Sequence, residues 1–152
     1  MPTATVLSVL AAAAEGLGDV EAAERYHQSC IERYPTYTTC RVNYAVLLSK
    51  QDRFSEEREQ YVQVLEYEPG NFNAALYAAY SLIAQKDYSR AESYLRRAIA
   101  IQPDADAYFW LGRTLLNQGK DKQAVKALEQ ALAINPGNTE AQDMLARLKK
   151  RS

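Results

Sequence analysis

The sequence predicts an all-α protein, a solenoid in which helix pairs stack side by side. Its composition is the first indication, because 152 residues contain only six Gly and five Pro, too few for a sandwich of short strands. The second indication is a repeat: Pro35, Pro69, Pro103 and Pro136 follow one another at intervals of 34, 34 and 33 residues. Repeats of this length are typical of stacked helical pairs.

Three columns of mostly small residues recur at the same intervals as the prolines. They are Ala11, Ala45, Ala79 and Gly112; Ala23, Glu57, Ala91 and Ala124; and Cys30, Val64, Ala98 and Ala131. A small residue in the middle of one helix lets the next helix approach closely, whereas a larger side chain would hold the pair apart. A single pair cannot bury its apolar stripe alone, so neighbouring pairs must share a continuous core.

Each unit reads as two amphipathic helices joined by a short polar turn. The turns fall at Gly18-Asp19, Asp52-Arg53, Lys86-Asp87 and Gly119-Lys120-Asp121. In the first unit, residues 4–14 are strongly apolar and resemble part of a signal peptide, but no basic residue precedes them and they are too short to span a bilayer. In the last unit, the pattern predicts helices over residues 105–117 and 121–134, and Pro136 ends the second.

The last unit resembles the tetratricopeptide repeat (TPR). The residues that carry the resemblance are Tyr108-Phe109-Trp110-Leu111-Gly112, Leu115, Gly119, Ala124, Ala131 and Pro136. The resemblance implies a single domain over residues 1–152, a right-handed α–α superhelix of four TPR helix pairs. The repeats would cover about 4–37, 38–71, 72–104 and 105–138, with a capping helix over 139–150. Glu57 stands where the family usually has alanine, which predicts looser packing there.

Few residues in the sequence could carry out catalysis. His27 is the only histidine, and its register predicts a core residue with a satisfied ring nitrogen. With Cys30 and Cys40 it could supply three metal ligands, but there is no fourth candidate. Reduced thiols are the first expectation, and a Cys30–Cys40 disulfide remains open if the protein is exported. We therefore expect a protein that is not an enzyme and has no catalytic residue, metal or cofactor.

The resemblance places the first helix of each pair on a concave groove, and the function it implies is protein–protein interaction. The expected partner is a peptide or helix of another protein, bound by Val42, Asn43, Val46, Asn73, Leu76, Tyr77, Tyr80, Phe109, Trp110 and Arg113. Trp110 and Tyr77 are expected to face this groove. The family's two-carboxylate clamp for chaperone tails is not expected, because only Asn43 matches it.

The charge balance excludes some partners and leaves other functions open. Eighteen basic and nineteen acidic residues argue against nucleic-acid binding, and we expect no membrane insertion. Residues 1–76 carry −5 (six basic, eleven acidic) and residues 77–152 carry +4 (twelve basic, eight acidic). This uneven charge favours one alternative function, a self-assembling module that stacks end to end, and a homo-oligomer formed through the N-terminal helix is a related expectation. A separate alternative is the TPR portion of a larger enzyme or of a secretion or assembly component. A cytoplasmic location is expected, with a periplasmic or exported one open.

Overall fold

A computed structural model describes residues 1–151, and over that range the chain forms nine α-helices and no strand. The helices are α1 (Ala4–Gly16), α2 (Val20–Arg33), α3 (Thr39–Ser49), α4 (Phe54–Tyr67), α5 (Phe72–Ala84), α6 (Tyr88–Ile101), α7 (Ala105–Asn117), α8 (Asp121–Ile134) and α9 (Thr139–Arg151). The all-α prediction is confirmed, and α7 and α8 have the predicted bounds. No helix within the described range is both long and apolar enough to cross a membrane.

The helices are distributed over two compact units, Met1–Pro69 and Gly70–Ser152. In the first unit α1 packs on α2, α3 packs on α4, and α2 contacts α3. In the second unit α5 packs on α6 and α7 on α8, while α6 contacts α7 and α9 covers α8. Each unit is therefore built from successive helix hairpins, and the expectation of a single domain stays a prediction.

The turn inside each hairpin has one residue in the left-handed region of backbone space. These residues are Gly18, Asp52, Lys86 and Gly119, with φ between 57° and 77°, and they recur at the intervals found for the prolines. A residue in this conformation turns the chain back and ends the helix. The backbone amides of the turn then bond to the last carbonyl groups of that helix. Asp19 and Asp87 then each accept a hydrogen bond from the backbone amide three residues on, Ala22 and Arg90, and begin the following helices.

The repeated columns form the contacts between paired helices. All four members of the first column are buried, and Ala11, Ala45 and Ala79 are completely inaccessible. At Gly112 the approach is closest, since a Cβ atom built there would lie 2.8 Å from Leu128 Cγ. The predicted register is therefore correct in both units. Glu57 is also buried, at 6% exposure, in the column where the other three members are alanine.

His27 is a core residue, as its register predicts. Its side chain is 1% exposed and stacks on Tyr44, and its Nε2 lies 3.2 Å from Glu15 Oε1. Because a carboxylate only accepts hydrogen bonds, Nε2 is the donor. Burial by itself raises the pKa of Glu15, but the hydrogen bonds from His27 and Lys50 outweigh it, so the pKa lies below its ordinary value.

The first expectation for the two cysteines, reduced thiols, differs from the structure. Cys30 in α2 and Cys40 in α3 form a disulfide, with Cα atoms 6.1 Å apart and both residues completely buried. The link joins two helices that pack across the short connection between the first and second hairpins. Sequence spacing does not reveal this proximity, because it depends on the angle at which α2 meets α3.

Glu92 in α6 joins three polar groups of the second unit. Its carboxylate accepts hydrogen bonds from Gln118 Nε2 at 2.9 Å, from Lys120 Nζ at 2.8 Å and from Arg96 Nε at 2.9 Å. Burial raises the pKa of Glu92, but these three groups outweigh burial and lower it to about 2. The carboxylate therefore ties α6 to the residues that join α7 to α8, and its ion pairs with Lys120 and Arg96 form only while it is ionised.

Lowering the pH should weaken the interactions of Glu92, and comparison with the variant Glu92→Gln reveals this effect. The folded-state pKa of about 2 lies below the ordinary value of 4.5, so the stabilisation is present above pH 4.5 and is lost as the pH falls toward 2. We expect a loss of about 1–2 kcal/mol between pH 5 and pH 2, reduced from the full linkage value because the cations are partly exposed. Urea unfolding of the wild type and Glu92→Gln across this range measures it. Parallel stability curves for the two proteins would contradict the assignment.

Candidate functional site

The second unit presents a surface of flat side chains on α5 and α7, which we call the aromatic–arginine surface and define as Tyr77, Tyr80, Trp110 and Arg113. The side chains come from positions 77 and 80 of α5 and 110 and 113 of α7, one helical turn apart in each case. Tyr77 is 42% exposed and the other three are half-buried. The surface is therefore accessible and held in place by its own packing.

The side chains of this surface form a continuous series of contacts across α5 and α7. Tyr77 meets Tyr80 edge to face at 5.9 Å between centroids, and Tyr80 meets Trp110 at 5.4 Å with the rings tilted by 59°. Arg113 lies with its Cζ atom 4.7 Å from the centroid of the Trp110 ring, within the range of a cation–π interaction. Each ring is thus fixed by a neighbour, and little side-chain freedom remains to be lost when a ligand binds.

Charges of opposite sign adjoin different residues of the surface. Arg113 Nη1 lies 3.3 Å from Glu140 Oε1 of α9, and the two side chains are 39% and 59% exposed. Beside Tyr80, burial raises the pKa of the phenol, and the negative charges of Asp106 and Asp104 raise it further. Tyr80 is therefore a neutral phenol at neutral pH, beside two carboxylates.

The structure places the remaining predicted site residues in three different environments. Leu76 and Phe109 are buried, at 8% and 6% exposure, and their expected exposure to a groove is wrong. The Phe109 ring instead contacts the Trp110 ring edge to face, with the ring centroids 5.8 Å apart. Asn73 is exposed near the start of α5. In the first unit, Val42 and Asn43 of α3 are half-buried and Val46 is 43% exposed.

The sequence prediction of the site did not include Glu140, which the register could have identified. Asn73, Asp106 and Glu140 follow one another at 33 and 34 residues, so Glu140 occupies on α9 the position that Asp106 occupies on α7. Since α9 continues the register of the first helices, its second residue comes next to Arg113.

The chain has successive helix hairpins, a recurring column of mostly small residues at the helix contacts, and a surface formed by alternate helices. These features define a helical-repeat protein. The chain belongs to the tetratricopeptide repeat family. One tetratricopeptide repeat model matches residues 58–110 and 82–148, and a second matches residues 3–34. No curated protein matches the sequence.

Solved structures of TPR proteins share this all-α superhelical repeat fold. MamA is 19% identical, with a TM-score of 0.89 over 97% of this chain and 81% of that chain. YrrB, a TPR protein with an unusual peptide-binding site, is 17% identical, with a TM-score of 0.82 over 97% of this chain and 77% of that chain. The first TPR of Spaghetti (RPAP3), bound to an HSP90 peptide, is 23% identical, with a TM-score of 0.71 over 75% of this chain and 91% of that chain.

Identities this low establish the fold and not the ligand. Proteins of the tetratricopeptide repeat family typically serve protein–protein interaction as scaffolds. Within residues 1–151, no group of three or more His, Cys, Asp or Glu side chains is arranged to hold a metal ion. What the chain binds must be argued from its own surface.

Proposed function

We propose that this TPR protein is a non-enzymatic scaffold that binds a peptide or helix of a partner protein, and that the aromatic–arginine surface is its principal contact in the second unit. The observation that supports the proposal is the continuous contact from Tyr77 through Tyr80 and Trp110 to Arg113. Tyrosine, tryptophan and arginine are the residues that most often dominate binding energy at protein interfaces. In the first unit, Val42, Asn43 and Val46 belong to the same proposal, as does Asn73 in the second.

The ion pair at the end of this surface indicates which chemistry the partner carries. An exposed pair such as Arg113–Glu140 contributes only about 0–1 kcal/mol to stability. A carboxylate of the partner can therefore replace Glu140 on Arg113 at small cost and keep the guanidinium paired. Because Asp104 and Asp106 lie near Tyr80, an acidic group of the partner placed beside Tyr80 would be repelled. We expect a segment with an apolar or aromatic anchor for the rings and an acidic residue at the Arg113 end.

The experiment is a selection of peptides from a displayed random library on the wild-type protein, followed by affinity measurements on two variants. Tyr77→Ala removes the most exposed ring of the surface, and we expect it to weaken the enriched peptide about tenfold, which corresponds to about 1.4 kcal/mol. Tyr67→Ala on α4 is the matched control, because Tyr67 is a tyrosine of similar exposure, 46% against 42%. Its affinity should stay within about twofold of the wild type.

A double-mutant cycle tests the carboxylate. Replacing the acidic residue of the enriched peptide by alanine should weaken binding to the wild type and have little effect on binding to Arg113→Ala, because the two groups act as one pair. A selection that enriches no peptide, or a peptide that binds Tyr77→Ala and the wild type equally, would contradict the proposed function. Additive losses in the cycle would contradict only the pairing with Arg113.

A further inference from the structure

Helix α1 carries an exposed apolar stripe beside its buried face, and we call this stripe, together with Leu17 directly after the helix, the α1 stripe. It consists of Val6, Leu10, Ala13 and Leu17, at successive spacings of four, three and four residues. Val6 is 45% exposed, Leu10 38% and Leu17 86%, and Ala13 is exposed. The spacing is that of a helix seam that packs against another helix. A stripe of this kind in a folded chain marks an interaction surface.

The second unit has an open groove between α8 and α9, which we call the α8–α9 groove, with a volume of about 580 Å³. Val125 of α8 and Leu148 of α9 supply its apolar surface, and Leu148 is buried. The other side chains lining it are charged: Lys122, Lys126, Lys149 and Arg151, with Asp121 and Glu129. The groove is therefore apolar in its interior and mainly basic around it.

Length and charge make the two surfaces complementary. Helix α1 has 13 residues and α8 has 14, so both are about 20 Å long. Helix α1 contains no Lys or Arg, and Asp19 and Glu21 follow it closely in the chain. The two units carry opposite net charges: Met1–Pro69 has six basic and eleven acidic residues, giving −5, and Gly70–Ser152 has twelve and eight, giving +4. Opposite potentials of this kind favour encounter between the first unit of one molecule and the second unit of another.

We propose that the α1 stripe of one copy of this chain docks into the α8–α9 groove of a second copy. The contact is heterologous, because each copy contributes a different surface. Every copy in a docked pair then keeps one unused stripe or one unused groove, so further copies can add. This assembly uses neither Tyr77, Trp110 nor Arg113, and it is independent of the proposed peptide binding.

Two substitutions, each with a matched control, test the docking by sedimentation velocity over a range of protein concentrations. Ala13→Lys places a charge in the α1 stripe, and Ala12→Lys places the same charge at an exposed position one residue away, off the stripe. Val125→Lys places a charge in the α8–α9 groove, and Gln130→Lys does so at an exposed α8 position outside it. We expect the wild type and both controls to form concentration-dependent oligomers. Ala13→Lys and Val125→Lys should each remain monomeric, with wild-type helix content and melting temperature.

A mixture of the two monomeric variants gives the decisive result. Ala13→Lys keeps an intact groove and Val125→Lys keeps an intact stripe, so an equimolar mixture should form a dimer that grows no further. A symmetric contact between two α1 stripes predicts instead that Val125→Lys still dimerises by itself, and that outcome would overturn the proposal. A wild type that stays monomeric up to millimolar concentration, or oligomers that survive Ala13→Lys, would overturn it as well.

Discussion

Replacing Trp110 by alanine is expected to weaken binding of the selected peptide about thirtyfold, which corresponds to about 2 kcal/mol. The free energy of unfolding should fall by only about 1–2 kcal/mol, because the ring is half-buried and its contacts are with Tyr80, Phe109 and Arg113 at the surface of the second unit. Without the indole, Arg113 loses the ring over which it lies. Calorimetric titration and thermal unfolding on the same variant measure the two quantities.

Trp110→Phe provides the control for this prediction. Phenylalanine keeps an aromatic face toward Tyr80 and Arg113, so it should retain most of the affinity and nearly all of the stability. A fall of 3–5 kcal/mol in the free energy of unfolding of Trp110→Ala is the result expected for a tryptophan in a core. If that fall occurs while affinity of the remaining folded protein is unchanged, Trp110 is structural and the aromatic–arginine surface is not the binding site.

Replacing Gly112 by leucine is expected to cost about 3 kcal/mol of stability, which is at the upper end for overpacking. A Cβ atom at this position would already lie 2.8 Å from Leu128 Cγ and 2.9 Å from Leu128 Cδ2. Leucine adds three further carbon atoms where α7 and α8 are in closest contact, so the helices must separate. The melting temperature should fall by roughly 6–12 °C for a chain of this size.

Two further leucine substitutions separate overpacking from the effect of the residue type. Ala79→Leu lies in the same column and is completely buried, so we expect a loss of about 1–3 kcal/mol. Ala84→Leu is exposed on the same helix, α5, and should change stability by less than about 0.5 kcal/mol. Unchanged melting temperatures for both Gly112→Leu and Ala79→Leu would mean that the column does not form the contact between paired helices.

The three adjacent aromatic residues of α7 lie in different environments. Tyr108, Phe109 and Trp110 point about 100° apart around the helix, and one buried seam has no room for all three. Helix α7, however, contacts both α6 and α8, so its buried surface is wider than one seam. Ala107 and Thr114 are buried on one side of the helix, and Phe109 is buried on a different side. Trp110 and Arg113 are half-buried and reach the surface.

The sequence by itself determined the helices, their turns and the columns through which they pair. These features depend on local chemistry and on a repeat: the left-handed turn at Gly119, the stop at Pro136 and the small residue at Gly112 each act within one hairpin. The register also gives the position of Glu140 on α9, and the structure shows its carboxylate paired with Arg113. Tertiary structure alone decided the disulfide between Cys30 and Cys40 and the burial of Phe109. Those outcomes depend on the distance and angle between helices that belong to different hairpins. Side-chain packing sets this distance and angle only when the whole unit has folded.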